Sequence, residues 1–284
     1  MAKRGHKRQR CGPLPSTPPW NLGTPPALED PDLQRVIRNM VGRFEKSIPA
    51  SKAIVFRITH LRFARAAAEN LGKLPQSLTD LTICSPSFNQ PVQHLKSLLH
   101  LKIVSKAFNQ PVQHLKSLLH LTICSPGFHQ PVQDLQSLLR LKIVSNAFNH
   151  PVQNLPSLVH LTITSETFNQ TIQNLQSLQH LKVFAWNFCR PAQHLRGLQR
   201  LTIESYYFNQ SLQHLHNLLS LTICSPSFNK PVQHLRSLIR FNINSDSFNQ
   251  PLPELCGLRH IKIDCAAFDH VLFLGESEDL WSSD

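Results

Sequence analysis

The sequence predicts a repeat solenoid, a stack of short coils that each contribute one strand to a parallel sheet. A phenylalanine recurs every 20 residues, at Phe88, Phe108, Phe128, Phe148, Phe168, Phe188, Phe208, Phe228, Phe248 and Phe268. The segment 88–101 reappears unchanged at 108–121, so the array grew by duplication. With a worn first unit near His60, the period predicts about ten to eleven coils.

The apolar spacing changes within each unit, and this change predicts the shape of a coil. Leu101 and Ile103 lie two residues apart, which is the alternation of a short strand with one buried face. From Val112 to Leu121, apolar residues follow at intervals of three. That spacing suits a 3₁₀-like or irregular return, because residues i and i+3 eclipse there. Phe108 is expected to enter the same core from the corner between strand and return.

The flanks of the array differ from it in composition. Residues 1–29 are basic and then proline-rich, and they hold too little apolar surface to pack. Asp30 suits a helix N-cap with Pro31 at the first helical position, and an amphipathic helix is predicted over about 31–46. The predicted segments are a disordered basic tail (1–29), a helical cap (30–59), the repeat array (60–273) and an acidic carboxy-terminal tail (274–284).

Charge and cysteine content narrow the classes of partner and compartment. A formal net charge of +12 favours acidic partners, so an acidic protein patch and nucleic acid are both candidates. The seven cysteines, an odd number without a CxxC pair, are interpreted as free thiols in a reducing compartment. Neither secretion nor membrane insertion is expected, because no leader and no spanning apolar run is recognised. The expectation is an intracellular protein, cytoplasmic or nuclear, and the basic cluster at 3–10 is similar to a nuclear localisation segment.

Binding residues in a stacked solenoid are sought down columns of equivalent positions, which lie about 4.8 Å apart on neighbouring strands. One outward column of the strands carries mostly histidine and arginine, and the next alternates threonine with lysine over much of its length. Together they predict a polar, mildly basic binding face. The candidate binding residues are His100, Lys102, His120, Arg140, Lys142, His160, His180, Lys182, Arg200 and Arg240.

Other columns receive structural interpretations. His94, His114 and Asp134 share one column and raise the hypothesis of a metal site, but the short local spacings of structural zinc sites are absent. No metal is predicted, and a solvated or ladder-bonded histidine column is favoured. The asparagines of the corners and the serines that follow the strands are expected to bond backbone groups from coil to coil.

The sequence contains no recognised catalytic signature. Glycine is scarce, and neither GxGxxG nor GxxxxGK[ST] occurs. The strand cysteines Cys84, Cys124 and Cys224 recur within a copied Leu-Thr-Ile-Cys-Ser-Pro segment. We therefore predict that the chain is not an enzyme, and neither a cofactor nor a small-molecule substrate is indicated.

The corner motif resembles a known repeat. Phe-Asn-Gln-Pro at 88–91, 108–111 and 248–251, with Leu-x-Ile strands at 81–83 and 101–103, resembles the FNIP repeat family and is more broadly similar to leucine-rich repeats. The 20-residue unit is shorter than that family's. The resemblance implies a protein-interaction module, and some relatives carry an amino-terminal F-box that docks onto a ubiquitin ligase.

These observations predict a non-catalytic interaction scaffold that binds a protein partner, with an acidic patch, through the exposed sheet face. Electrostatic nucleic-acid binding is the second hypothesis, although Phe184 is the one aromatic residue in the outward columns that could stack on a base. A third hypothesis, implied by the resemblance alone, is a substrate adaptor for a ubiquitin ligase. It requires residues 31–46 to form an F-box-like docking element rather than a cap.

Overall fold

The computed structural model describes residues 60–64, 74, 76–192, 194–252 and 257–268. This part of the chain is the repeat array. The helical cap predicted at 30–59, the basic tail and the acidic tail all lie outside the described residues.

The described residues contain thirteen strands in two parallel sheets. The strands are β1 (His60–Ala64), β2 (Asp80–Cys84), β3 (His100–Val104), β4 (His120–Cys124), β5 (Arg140–Val144), β6 (Val152–Gln153), β7 (His160–Thr164), β8 (Ile172–Gln173), β9 (His180–Phe184), β10 (Arg200–Glu204), β11 (Ser220–Cys224), β12 (Arg240–Asn244) and β13 (His260–Asp264). The large sheet has eleven strands in the order β1-β2-β3-β4-β5-β7-β9-β10-β11-β12-β13, and β6 pairs with β8. Each five-residue strand begins 20 residues after the previous one.

Neighbouring strands of the large sheet pair in an unbroken register. Leu101 lies opposite Leu121, and Lys102 lies opposite Thr122. Within β3 the side chains of Leu101 and Ile103 are buried, whereas those at the alternate positions reach the surface. Because side chains alternate across a strand, equivalent residues of every unit fall into columns on one face or the other. The chain is therefore a parallel-strand, leucine-rich-repeat-like solenoid with a 20-residue spacing.

The core runs along the solenoid between the large sheet and the returns. Strand positions such as Leu121 and Ile123 meet return positions such as Leu115 and Leu118, and all are at most 1% exposed. The repeated phenylalanines stack along the corner, with ring centroids 5.7 to 6.2 Å apart and ring planes within 12° of parallel. This phenylalanine spine extends from Phe88 to Phe268 and confirms the buried column predicted from the 20-residue period.

The returns consist of short turns, and none of the described residues lies in a helix. In a typical return, Leu95 N–H donates to the Val92 carbonyl at 3.0 Å, and Leu98 N–H donates to the Leu95 carbonyl at 3.2 Å. These i to i+3 bonds are the 3₁₀-like contacts that the spacing of three predicts. The backbone differs at Asp134, Asn154 and Asn174, which adopt positive φ values of 64°, 58° and 57°. Aspartate and asparagine tolerate that left-handed region better than most residues do.

Two ladders of side chains satisfy the corner backbone, as predicted. The Asn89 side-chain oxygen accepts the Asn109 N–H at 2.9 Å one coil further on, and Asn149 and Asn169 repeat the arrangement at 3.0 Å. The Ser105 hydroxyl donates to the Phe88 carbonyl at 2.7 Å. The same bond to the phenylalanine 17 residues earlier is made by Ser125, Ser145, Ser165, Ser205, Ser225 and Ser245. Each coil is thus tied to its neighbour by side chains as well as by the sheet.

Candidate functional site

The outward face of the large sheet consists of three columns, set by the first, third and fifth residue of each strand. We call them the first, second and third columns. All ten candidate binding residues lie in the first two, on adjacent strands in register. Arg140, Lys142, Lys182, Arg200 and Arg240 are exposed, and the remaining five are half-buried. The structure thus places these residues on one continuous face, and their role in binding stays a prediction.

The first column is a chain of imidazoles and guanidinium groups. The rings of His100 and His120 have centroids 4.6 Å apart, and those of His160 and His180 are 4.3 Å apart and nearly perpendicular at 69°. Arg140 lies between the two histidine pairs. Tilted and edge-to-face contact at these distances covers part of each ring, so the side chains of each histidine pair are packed together rather than separate.

An acidic residue lies near the amino-terminal end of the first column. Asp80 accepts from His100 Nδ1 at 2.5 Å and from Thr79 Oγ1 at 2.7 Å, and His60 Nε2 lies 3.2 Å away. Burial alone would raise the pKa of Asp80. The hydrogen bonds from Thr79 and His100 and the charges of the two histidines outweigh it, so the pKa lies below 3.8. Asp80 is therefore an anion that neutralises this end of the face.

Histidine protonation is disfavoured further along the first column. Burial lowers the pKa of His120, His160 and His180 below the ordinary value of 6.5. Positive charges on neighbouring histidine and arginine side chains lower it further, because a second cation so close is repelled. At neutral pH these three imidazoles are uncharged, and the positive field of the face comes from lysine and arginine.

This titration predicts that acid destabilises the solenoid. The unfolded chain takes up protons around pH 6.5, whereas folded His120, His160 and His180 take them up at lower pH. Their contribution is present above the unfolded pKa and is lost as pH falls through the folded pKa. We expect the urea midpoint to fall between about pH 7.5 and about pH 5.5, and to fall less in a His160→Gln/His180→Gln variant.

The matched control replaces two exposed histidines of the returns, His114→Gln and His214→Gln. That variant should keep the pH dependence of the unsubstituted chain, because the sheet face is intact. If the unsubstituted chain and both variants lose stability equally with falling pH, then His160 and His180 do not cause the pH dependence.

The second column spaces its positive charges widely. Lys102, Lys142 and Lys182 alternate with threonines, so consecutive lysines lie two strands apart, about 9.6 Å. This is close to one Debye length in physiological salt, so neighbouring ammonium groups repel each other weakly. The column can carry positive charge without a large cost to stability.

The third column differs in chemistry, and none of the predicted binding residues lies in it. It holds cysteine and valine at first, then Thr164, Phe184 and Glu204. Burial raises the pKa of Cys124 and Cys224, so these thiols are protonated at neutral pH and poor nucleophiles. All five described cysteines are free. Phe184 and Glu204 differ from the residues that the repeated unit places in this column. That departure is visible in the sequence and could have marked both as candidate functional residues.

The column of His94, His114 and Asp134 lies in the returns. Within the described residues, no group of three or more histidine, cysteine or acidic side chains is placed to hold a metal ion. Asp134 has a positive φ of 64°, a conformation that neither histidine of the column shares. Further along, His234 Nε2 lies 2.8 Å from the Leu212 carbonyl, and His194 makes the equivalent contact with Ile172.

Comparisons with known proteins find a similar solved structure. The chain matches no model of a known protein family and no curated protein. It is similar to the crystal structure of an internalin from Listeria monocytogenes, with a TM-score of 0.47 and 15% sequence identity over 82% of this chain and 82% of that chain. The leucine-rich-repeat-like assignment rests on the 20-residue period and the parallel sheet in register. In the described part of the chain, no helix has the length and apolar character needed to cross a membrane.

Proposed function

We propose that this protein is a non-catalytic interaction scaffold and that a protein partner with an acidic patch binds across the outward face of the large sheet. One observation carries the proposal. The inward strand positions are nearly uniform, with leucine followed by isoleucine in most units, whereas the first column ranges from Asp80 through His100 and Arg140 to Ser220. Duplication copies both sets alike, so the face has diverged while the core has not. Solenoids use such extended surfaces to bind partners.

Charge favours an acidic partner. The chain carries a formal net charge of +12, and seven exposed lysine and arginine side chains lie in the first two columns of the described strands. Charges of this kind raise the association rate and select against partners of the same sign. The resemblance of the corner to FNIP repeats, which implies an interaction module, agrees with the proposal without deciding it.

Nucleic acid is the second candidate because the same cations could neutralise phosphates. Two features of the face count against it. Asp80 interrupts the first column, and Glu204 and Asp264 add negative charge in the third column of the same face. Phe184 is the one aromatic side chain on the described strands that lies in an outward column, so bases have few rings on which to stack.

The test distinguishes binding that depends on the sheet face from binding that depends only on net charge. A face variant replaces Lys102, Lys142, Lys182, Arg140, Arg200 and Arg240 with serine. A control variant replaces six cations away from the strands, namely Lys96, Lys106, Lys116, Lys230, Arg196 and Arg236. Each variant lowers the formal net charge from +12 to +6. We expect a fluorescent DNA duplex and a single-stranded RNA to bind weakly, with steep salt dependence, and to lose similar affinity with both variants.

Partner capture completes the test. The full chain and both variants are used for affinity purification after nuclease treatment, followed by mass spectrometry. Proteins retained by the unsubstituted chain and the control variant, but lost with the face variant, are the expected partners. Tight nucleic-acid binding at physiological salt that disappears with the face variant alone would instead establish nucleic-acid binding.

A substrate-adaptor role in a ubiquitin ligase rests on the resemblance alone. It requires residues 31–46 to dock onto another protein, and these lie outside the described residues. Copurification of ligase subunits that depends on residues 30–59 and not on the face would support it.

An intracellular location, cytoplasmic or nuclear, is part of the proposal. The five cysteines that the structure describes are free thiols, which agrees with a reducing compartment. We predict that residues 1–28, with the basic cluster at 3–10, direct a large fluorescent fusion protein to the nucleus. A fusion in which Lys3, Arg4, Lys7, Arg8 and Arg10 are glutamine is the control. Uniform cytoplasmic signal from both fusions would reject the nuclear signal.

A further inference from the structure

An aromatic cluster breaks the repeat at the carboxyl ends of β9 and β10. It consists of Phe184, Trp186, Tyr206 and Tyr207, and we call it the aromatic corner. Both tyrosines of the sequence are in it. The positions equivalent to Trp186 and Tyr206 in other units hold proline, lysine, asparagine or acidic residues, or alanine. Duplication, which accounts for the repeated histidines, does not account for these rings.

The rings of the aromatic corner are held at fixed angles. The Trp186 and Tyr206 centroids are 6.4 Å apart, and their planes meet at 87°. Tyr206 N–H donates to the Trp186 carbonyl at 3.0 Å, and the Ser227 hydroxyl donates to the Tyr206 carbonyl at 2.8 Å. Trp186 is 45% exposed, although tryptophan is usually well covered. Two perpendicular rings on a hydrogen-bonded backbone therefore present an ordered aromatic surface to solvent.

Two carboxylates flank these rings. Glu204 pairs in register with Phe184 and stands two residues before Tyr206. Glu166 occupies the position equivalent to Trp186 one coil earlier. Both are half-buried. These register positions bring two acidic residues to the coils of the aromatic corner, and acidic and aromatic side chains together attract positive charge, in contrast to the basic columns.

Glu204 lacks a compensating charge within the solenoid. Among the described residues, its carboxylate has neither a hydrogen-bond donor nor an ion-pair partner, and exposed Lys182 forms no ion pair with it. Burial raises the pKa of Glu204 above its ordinary value, which shows that the anion is poorly solvated. A cation on a binding partner would stabilise the ionised carboxylate of Glu204.

We propose that the aromatic corner, with Glu204 and Glu166, binds an arginine side chain presented by a protein partner. A guanidinium group stacks on aromatic faces and donates two parallel hydrogen bonds to a carboxylate. It is also more weakly hydrated than the lysine ammonium group, so it enters a half-buried site more readily. The proposal does not depend on the basic columns, which attract charge of the opposite sign.

The test uses short labelled peptides that are identical except at one central residue. Arginine, lysine and citrulline occupy that residue in turn, because citrulline keeps the shape of arginine without its charge. Binding to the full chain is followed by fluorescence polarisation at physiological salt. We expect the citrulline peptide to bind about tenfold more weakly than the arginine peptide, with lysine between them.

Three substitutions locate the site. Glu204→Gln and Trp186→Asn should each weaken arginine-peptide binding about tenfold. Asparagine is tolerated there, since Asn146 holds the equivalent position of another unit. Tyr206→Phe keeps the ring and should bind as the unsubstituted chain does. The matched control is Asp264→Asn, which removes an exposed carboxylate from the same column three coils away.

Each alternative has its own outcome. Equal binding of arginine and citrulline peptides, or an unaffected Glu204→Gln variant, overturns the proposal. So does an equal loss with Asp264→Asn, because that would indicate general attraction to negative charge. Tighter peptide binding after Arg4, Arg8 and Arg10 are changed to glutamine would assign the site to the chain's own amino terminus instead. None of these outcomes bears on the partner or nucleic-acid binding of the basic columns.

Discussion

Replacement of Phe148 by alanine should lower the free energy of unfolding by about 3–5 kcal/mol, as large-to-small changes in a packed core do. Phe148 is fully buried in the middle of the phenylalanine spine. Its ring stacks on Phe128 at 6.2 Å and on Phe168 at 5.9 Å. Alanine would leave a cavity between two stacked rings, and the closely spaced strands on either side limit how far the coils can close over it.

A phenylalanine at the end of the described array provides the control for Phe148→Ala. Phe268 stands at the end of the described spine, is only half-buried and stacks on Phe248 at 5.9 Å. In a solenoid each coil contacts its neighbours alone, so a change at the end disturbs fewer coil interfaces. Urea unfolding of Phe268→Ala should therefore show a smaller loss. An unchanged urea midpoint for Phe148→Ala would show that the spine does not stabilise the fold.

Much of this fold can be predicted from the repeat, because equivalent residues of successive units have the same neighbours in the stack. The 20-residue period places Phe148 between Phe128 and Phe168, and the alternation in Leu-x-Ile assigns one face of each strand to the core. The serine and asparagine ladders follow for a related reason. A corner leaves backbone groups unpaired, and a side chain repeated at that corner can bond them in every coil.

The same reasoning misses residues that depart from the unit. Repeated positions predict the candidate face, so they assign no binding role to Trp186, Glu204 and Tyr206, each of which occurs once in its column. Backbone conformation also varies within a column. Asp134 lies in the left-handed region whereas His114 in the preceding coil does not, and spacing alone carries no information about this difference. Periodicity predicts the scaffold, and exceptions to periodicity mark the places where a particular function can be built.

Substitutions in the serine ladder are expected to give the second large effect on stability. At two equivalent positions, 145 and 185, they should change the free energy of unfolding in opposite directions. The Ser145 hydroxyl lies 2.7 Å from the Phe128 carbonyl and 2.9 Å from the Pro126 carbonyl. Ser145→Ala removes the donor and leaves a buried carbonyl unsatisfied, so a loss of about 1–3 kcal/mol in unfolding free energy is expected. At Ala185 the sequence already has the alanine, which is 2% exposed and offers no hydroxyl to the coil before it.

Ala185→Ser should therefore stabilise the solenoid by about 0.5–1.5 kcal/mol, the usual net contribution of a hydrogen bond. The new hydroxyl would lie near the Phe168 carbonyl, as Ser165 lies 2.8 Å from that of Phe148. Serine exceeds alanine by one oxygen atom, so a pure size effect would cost stability at this buried position. Opposite shifts of the urea midpoint for Ser145→Ala and Ala185→Ser would assign the effect to the hydrogen bond. A loss of stability in both variants would mean that packing around each serine, rather than its bond to the preceding coil, determines the strength of the ladder.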